Sequence, residues 1–278
     1  MKKAEITEAD LTCVLAGDLQ CQTTATNYAM RALGAPFAGL YGACSTMAES
    51  LALGTLLVQS GMAKILAAAS SHFAAAERQY RTPLEYGGKR TPTAQWTATA
   101  AGAVLLQAGG TGPFVQAVSF GRITDYAVTD INNMGAAMAP AAANTLSRFF
   151  EDTGLTPTFF DAVYTGDLGM VGSHLLAELL AEKNIDLPNH KDCGLILFDR
   201  EQQDVQAGGS GAGCSAGVLC SHILPQLKSG KLRNILFVAT GALMSQTTFL
   251  QGESIPGIAH LVWLSHTAEK AAIKRGQI

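Results

Sequence analysis

Apolar and helix-forming segments alternate along this chain, and the same order of segments occurs twice. Apolar runs at residues 11–16, 37–41 and 65–69 predict three buried strands in the first half. The segments between them, residues 23–33 and the stretch that starts at Cys44, predict helices that end at glycines. Strands that alternate with helices are typical of α/β proteins with mainly parallel sheets.

The second half repeats this order after an additional strand (residues 114–120) and an additional helix (residues 136–150). We therefore predict two similar βαβα halves, residues 1–110 and 111–278, which meet at a Gly-rich segment and are closed by strands near 98–106 and 258–264. The polar stretch 70–95 between the strands of the first half is predicted to be a loop. If the two halves are duplicates, the first half lacks its opening strand and most of the helix that follows it.

Two Cys-Ser steps occupy matching places in the halves. Gly42-Ala43-Cys44-Ser45 and Gly213-Cys214-Ser215 each begin a predicted helix. A helix N-terminus stabilises a thiolate and binds anions, so either cysteine could be a nucleophile or could mark an anion-binding pocket. Cys44 follows a strand at a tight turn, as nucleophiles of acyl-transfer enzymes do, although a small packed thiol fits the same sequence. Thr46 and Glu49 match the capping-box pattern.

The halves also share a Gly-Asp-Leu step after a strand, which contains Asp18 in one half and Asp167 in the other. These carboxylates either cap the helices that follow or line the groove between the halves. A cysteine nucleophile needs a base, and His72, at the end of a strand, is the best candidate among six histidines. Arg78 and Arg81 could bind an anion there or form salt bridges in a solvated loop.

Composition narrows the functional classes. Charged residues make up 15% of the chain and the net charge is −3, which argues against a nucleic-acid-binding protein. No apolar run reaches the roughly 18 residues of a membrane span, and the first residues lack the apolar segment of a secretory signal. The six cysteines are expected as reduced thiols, with no metal site and no cofactor. Residues 211–216 fit a dinucleotide fingerprint, but the segment before them does not read as a buried strand.

Taken together, these segments resemble the thiolase-like superfamily, and within it a family of sporulation proteins. The segments that carry the resemblance are residues 15–19, 41–46, 70–72, 76–81, 85–88, 134–143, 192–194, 207–211, 239–242 and 255–256. The resemblance implies a thiolase-like fold of two α/β halves with mixed, mainly parallel sheets and a cysteine at the start of a buried helix. In that fold the missing first strand is expected near the centre of its sheet.

The resemblance also implies a function in endospore formation. Proteins of this kind bind pyridine-2,6-dicarboxylate (dipicolinate), support its uptake into the forespore and work beside membrane proteins encoded with them. A soluble or peripheral protein at the cytoplasmic face of the forespore inner membrane is expected, as a homodimer formed through the strand at residues 37–41.

The sequence departs from the catalytic members of the superfamily. The catalytic members carry a histidine in the Gly-rich turn of the second half, and by its position Cys214 takes that place here. They also carry a histidine or asparagine where this chain has Asp167. We therefore expect a degenerate site that binds its ligand through Ser45, Asp18, Arg78, Arg81, Asp167, Cys214 and Ser215, with Cys44 vestigial. The alternative is an acyltransferase or condensing enzyme that uses Cys44 as nucleophile and His72 as base on a thioester.

Overall fold

The computed structural model describes residues 1–80 and 90–268, which form two β-sheets with helices between and around them. The strands are β1 (Cys13–Gly17), β2 (Phe37–Gly39), β3 (Lys64–Ser71), β4 (Trp96–Thr97), β5 (Ala100–Gln107), β6 (Phe114–Ser119), β7 (Ala162–Thr165), β8 (His190–Asp192), β9 (Gly209–Ser210), β10 (Asn234–Ala242) and β11 (Gly257–Ser265). The α-helices are α1 (Thr24–Leu33), α2 (Thr46–Gln59), α3 (Phe73–Tyr80), α4 (Met134–Thr153), α5 (Gly169–Ala181), α6 (Cys193–Leu197), α7 (Ala212–Val218), α8 (Leu224–Lys228) and α9 (Gln246–Leu250).

The strand orders of the two sheets confirm the predicted duplication. The first sheet has the order β2-β1-β3-β5 and the second, read from its other edge, β8-β7-β10-β11-β6. In each sheet the first three of these strands are parallel, and β5 or β11 then pairs antiparallel with the third. The α/β class and the mixed, mainly parallel sheets are therefore as predicted.

The additional strand of the second half, β6, lies at the edge of its sheet, where β11 is its one partner strand in the described part of the chain. The expectation of a central place for this strand was therefore wrong. Its counterpart in the first sheet would lie outside β5, beyond the three parallel strands. Among the described residues these three strands and β5 form a sheet without it.

One local prediction was also wrong. Residues 73–80, within the predicted loop, form α3, because Ala74, Ala75 and Ala76 favour helix despite the charged residues that follow. Helix α6 begins at Cys193, and the Asp192 carboxylate caps it by accepting a hydrogen bond from the Leu195 N–H (3.2 Å).

Helices α2 and α7 both start in the space between the two sheets. Helix α7 packs against β3 and β5 of the other half, and small residues allow a close approach. A Cβ atom on Gly213 would lie 2.1 Å from the Ala100 carbonyl oxygen, and one on Gly102 would lie 2.3 Å from the Ala216 carbonyl oxygen. The starts of α2 and α7 are thereby held near each other. No helix in the described part of the chain combines the length and apolarity of a membrane span.

Candidate functional site

Cys44 lies in a single 3₁₀ turn, Ala43–Ser45, directly before α2. The backbone of Ala43 is left-handed, with φ 51°, which is uncommon for a residue with a Cβ atom and typical of strained functional turns. The Ser45 hydroxyl donates to the Gly42 carbonyl (2.6 Å) and the Thr46 hydroxyl to the Ala43 carbonyl (2.7 Å). These bonds fix the turn, and the tight nucleophile-type geometry predicted for Cys44 is present.

The capping box predicted for α2 does not form. The hydroxyl of Thr46 is committed to the turn, and the Glu49 Oε2 atom is buried without a hydrogen-bond partner among the described residues. Burial raises the pKa of the Glu49 carboxyl. Ser45 is fully buried and does not reach the cavity described below. Its hydroxyl therefore supports the turn, in place of the ligand contact that we expected.

Asp167 is a fully buried carboxylate next to the Cys44 thiol. Its Oδ2 accepts hydrogen bonds from the Gly211 N–H (2.8 Å) and the Ser210 hydroxyl (3.0 Å), and its Oδ1 accepts one from the Thr240 hydroxyl (2.9 Å). Asp167 thus occupies the position at the start of α7 where an external anion would otherwise bind. The chain itself supplies the anion for this helix start.

The neighbourhood of Asp167 suppresses the reactivity of Cys44. Burial raises the pKa of the Cys44 thiol well above its usual value, and the negative charge of Asp167 raises it further. Burial also raises the pKa of Asp167, although its three hydrogen-bond donors partly oppose this shift. Each shift disfavours the charged form of its group. The thiolate that acyl transfer requires is strongly disfavoured in this arrangement.

The residue of the Gly-rich turn that faces Cys44 is Ser210, with its Oγ atom 4.0 Å from the Cys44 Sγ atom. The expectation that Cys214 takes the place of the partner histidine was therefore wrong by four residues. Cys214 is fully buried in the core, and burial raises the pKa of its thiol well above the usual value. Ser215 is also fully buried, and its hydroxyl donates to the Ala212 carbonyl (3.3 Å). Neither residue lines the cavity at Cys44.

Asp18 and Asp192 stabilise local structure. The Asp18 carboxylate accepts hydrogen bonds from the Thr26 N–H (2.8 Å) and the Gln20 N–H (2.7 Å), which ties the end of β1 to α1. Asp192 accepts hydrogen bonds from two N–H groups at the start of α5, those of Leu168 (2.8 Å) and Gly169 (3.0 Å). Burial raises the pKa of Asp192 to about 7. The capping function considered for Asp167 is therefore performed by Asp192.

The basic residues expected at the site are not brought together there. His72 and Arg78 are exposed and do not line the cavity at Cys44, and Arg81 lies outside the described residues. The described cation near the cavity is Arg90, whose guanidinium pairs with Glu77 (3.1 Å) and stacks on the Trp96 ring (4.2 Å from the ring centroid). No local sequence pattern points to Arg90, because its partners come from two separate segments.

A cavity of about 180 Å³ opens beside Cys44, between the two halves. Its lining residues are Leu19, Ala43, Cys44, Ala76, Glu77, Tyr80, Ala94, Gln95, Thr97, Ile131, Asn132, Met134, Met138, Ser210, Ala242 and Met244. Among these residues, Gln95 has a side-chain oxygen that accepts no hydrogen bond from the described residues. Its Nε2 donates to the carbonyls of Asp167 (2.7 Å) and Gly209 (2.8 Å), which fixes the amide, while its Oε1 is buried without a donor among the described residues.

Metal chemistry finds no support in the described residues. Within residues 1–80 and 90–268, no group of three or more His, Cys, Asp or Glu side chains is arranged to hold a metal ion. The polar groups that line the cavity are a thiol, two amides, hydroxyls and the Glu77 carboxylate, a set that suits an organic ligand.

Comparisons with solved structures identify the fold. The chain is similar to 3-oxoacyl-[acyl-carrier-protein] synthase III from Aquifex aeolicus VF5, with a TM-score of 0.57, 15% identity and coverage of 95% of this chain and 80% of that chain. The corresponding synthase III from Pseudomonas aeruginosa PAO1 gives a TM-score of 0.54 with 18% identity, over 94% of this chain and 84% of that chain. At this identity the likeness establishes the thiolase-like fold alone.

Comparisons at the sequence level are more specific. The family model for stage V sporulation protein AD (SpoVAD) matches residues 1–265. Stage V sporulation protein AD of Bacillus subtilis (strain 168) is 45% identical over 262 residues, which span 94% of this chain and 77% of that protein. With a thiolase-like fold and a cysteine turn opposed by a carboxylate, the chain belongs to the stage V sporulation protein AD family.

Proposed function

We propose that this sporulation protein binds dipicolinate in the cavity beside Cys44 and supports its uptake into the forespore without acyl transfer. The observation that carries the proposal is the pairing of Cys44 with Asp167. The cavity and the strained cysteine turn of a thiolase-like enzyme are retained, while a buried carboxylate disfavours the thiolate. A site that retains the cavity and the cysteine turn, but whose thiol stays protonated, is suited to ligand binding.

The size and polarity of the cavity fit a small planar ligand. Its volume of about 180 Å³ is below the roughly 300–1,000 Å³ that is common for drug-sized ligands. The side chains of Met134, Met138 and Met244 supply an adaptable apolar surface for an aromatic ring. Asn132 lines the same space and makes no side-chain hydrogen bond to another described residue, so its amide is available to a carboxylate.

The charges around the cavity favour a ligand that carries a proton. Gln95 Oε1 requires a donor, and Asp167 behind the thiol repels a second negative charge while it is ionised. A monoprotonated dicarboxylate satisfies both conditions, since its carboxyl O–H can donate to Gln95. Binding is therefore coupled to protonation of the ligand and of Asp167.

We expect dipicolinate to bind more tightly as the pH falls. Because the folded-state pKa of Asp167 is raised above its usual value, a smaller fraction of Asp167 carries the repulsive charge in a mildly acidic buffer than in a mildly alkaline one. One coupled proton changes the affinity by up to about tenfold per pH unit. Isothermal titration calorimetry with dipicolinate in the two buffers measures the difference, and picolinate, with a single carboxylate, is the ligand control.

The variant Asp167→Asn should raise the affinity in alkaline buffer and flatten the pH dependence. Asp186→Asn, a change at an exposed carboxylate, is the matched control and should behave as the wild type. Absence of heat at millimolar dipicolinate in both buffers would refute the binding proposal. A pH dependence that is unchanged in Asp167→Asn would refute the part assigned to this carboxylate.

The proposal extends to partners and location. We infer a homodimer formed through β2, a short edge strand of its sheet, flanked by the exposed rings of Tyr28 (60% exposed) and Tyr41 (47% exposed). We also infer docking on SpoVA-type membrane proteins at the cytoplasmic face of the inner membrane. Sedimentation equilibrium tests the dimer, and a monomer at tens of micromolar would contradict it.

A further inference from the structure

A second cavity, of about 230 Å³, lies where β6 ends against α4. It shares no lining residue with the cavity at Cys44. The residues that line it are Ser119, Phe120, Gly121, Arg122, Asn144, Thr145, Arg148 and Asp152. Nothing in the proposed function uses this cavity.

Part of its wall is held in place by hydrogen bonds. The Thr145 hydroxyl donates to the Ala259 carbonyl (2.8 Å), and the Gly121 N–H donates to His260 Nδ1 (3.2 Å). Burial lowers the pKa of His260 to about 4, so the ring is neutral and remains an acceptor near neutral pH. These bonds join α4 and the loop after β6 to β11.

Three polar side chains that line the cavity, those of Arg122, Arg148 and Asn144, have groups without a partner in the described part of the chain. Neither Arg122 nor Arg148 makes an ion pair or a side-chain hydrogen bond to residues 1–80 or 90–268. Asn144 Oδ1 is buried and receives no hydrogen bond from these residues. An unsatisfied buried polar atom is costly, which indicates that a ligand or water supplies the missing donor.

The arrangement defines the chemistry of the ligand. Asn144, Arg148 and Asp152 are spaced by four residues on one face of α4, and Arg122 approaches from the loop after β6. Arg122 and Arg148 are exposed residues that line the cavity from different elements, and guanidinium groups bind the oxygens of a carboxylate or phosphate. The Asn144 oxygen and the Asp152 carboxylate are both acceptors, so they favour an oxyanion that also carries a hydroxyl group.

We propose that this cavity binds a small oxyanion that carries a hydroxyl group, with Arg122 and Arg148 on its charged oxygens and Asn144 on its hydroxyl. Its volume is below the roughly 300–1,000 Å³ of sites for larger ligands. Hydrogen phosphate is the simplest member of this class. Sulfate, which has a similar shape and no hydroxyl group near neutral pH, is the matched ligand control.

The experiment is calorimetric titration of the full chain with inorganic phosphate and with sulfate at equal ionic strength. We expect phosphate to bind more tightly than sulfate, and Arg148→Gln to weaken phosphate binding by about tenfold or more, since charge-assisted hydrogen bonds are lost. Arg233→Gln changes an exposed arginine elsewhere and should leave binding unchanged. Thermal unfolding of each variant checks that the fold is retained.

Three results would overturn the proposal: no phosphate binding at tens of millimolar, equal losses in Arg148→Gln and Arg233→Gln, or equal affinity for phosphate and sulfate. The first two refute an anion site, and the third refutes the hydroxyl contact to Asn144. Dipicolinate binding at Cys44 should be unaffected by Arg148→Gln, so the two proposals can fail separately.

Discussion

Replacing Asp167 by asparagine should make Cys44 reactive. Asparagine removes the charge that raises the thiol pKa, and its side-chain oxygen can still accept the hydrogen bonds of Gly211 and Ser210. Each unit by which the thiol pKa falls increases the thiolate fraction about tenfold near neutral pH, so alkylation of Cys44 by iodoacetamide should accelerate about tenfold or more. Burial of the thiol is unchanged, so the reactivity should stay below that of a free cysteine.

Peptide mass spectrometry measures this rate at each cysteine separately. Cys21 is exposed and provides an internal reference that should react alike in both proteins, while Cys214 is buried and should remain unmodified in both. Equal slow alkylation of Cys44 in the wild type and in Asp167→Asn would contradict the electrostatic explanation. Fast alkylation of Cys44 in the wild type would contradict the suppressed thiol itself.

The variant Gly213→Ala should strongly destabilise the fold. The new Cβ atom would lie 2.1 Å from the Ala100 carbonyl oxygen and 2.7 Å from the Ser71 backbone nitrogen, and neither backbone group can move without disturbing β3 or β5. Overpacking against backbone costs about 3 kcal/mol of the free energy of unfolding, at the upper end of the usual range. For a chain of this size, that corresponds to a fall in Tm of about 10 °C.

Gly217→Ala is the matched control in the same helix. Its Cβ atom would lie 3.4 Å from the Ala100 Cβ atom, an ordinary contact, and alanine favours helix over glycine. Thermal and urea unfolding of the two variants should therefore differ clearly. If Gly213→Ala is as stable as Gly217→Ala, α7 does not depend on its close approach to the first half.

The fold could be predicted from the sequence because its signals are local and repeated. Apolar runs followed by small residues placed Cys44 and Asp167 at the ends of strands, and the repetition of the pattern gave the two-sheet architecture. The helix at residues 73–80 was missed because its charged residues suggested a loop, although three consecutive alanines were a contrary signal. The edge position of β6 depends on pairing between distant segments, which no local pattern encodes.

The site was predicted less completely because its contacts cross long distances in the sequence. Ser210 and Cys44 are separated by 166 residues, and a run of small residues around Ser210 leaves open which one faces the cysteine. Gln95 makes its two hydrogen bonds to the second half over 72 and 114 residues. The hydrophobic pattern of the sequence predicts which turn carries such a residue, but it does not predict which residue of the turn contacts the site.

The most direct test of the suppressed nucleophile is the mass of the wild-type protein after incubation with a panel of acyl-CoA thioesters. Because the Cys44 thiol is held protonated beside Asp167, we predict an unchanged intact mass and no acyl group on the peptide that contains Cys44. An acyl adduct on Cys44 of the wild type, absent from Cys44→Ser, would contradict this account and restore the acyltransferase alternative.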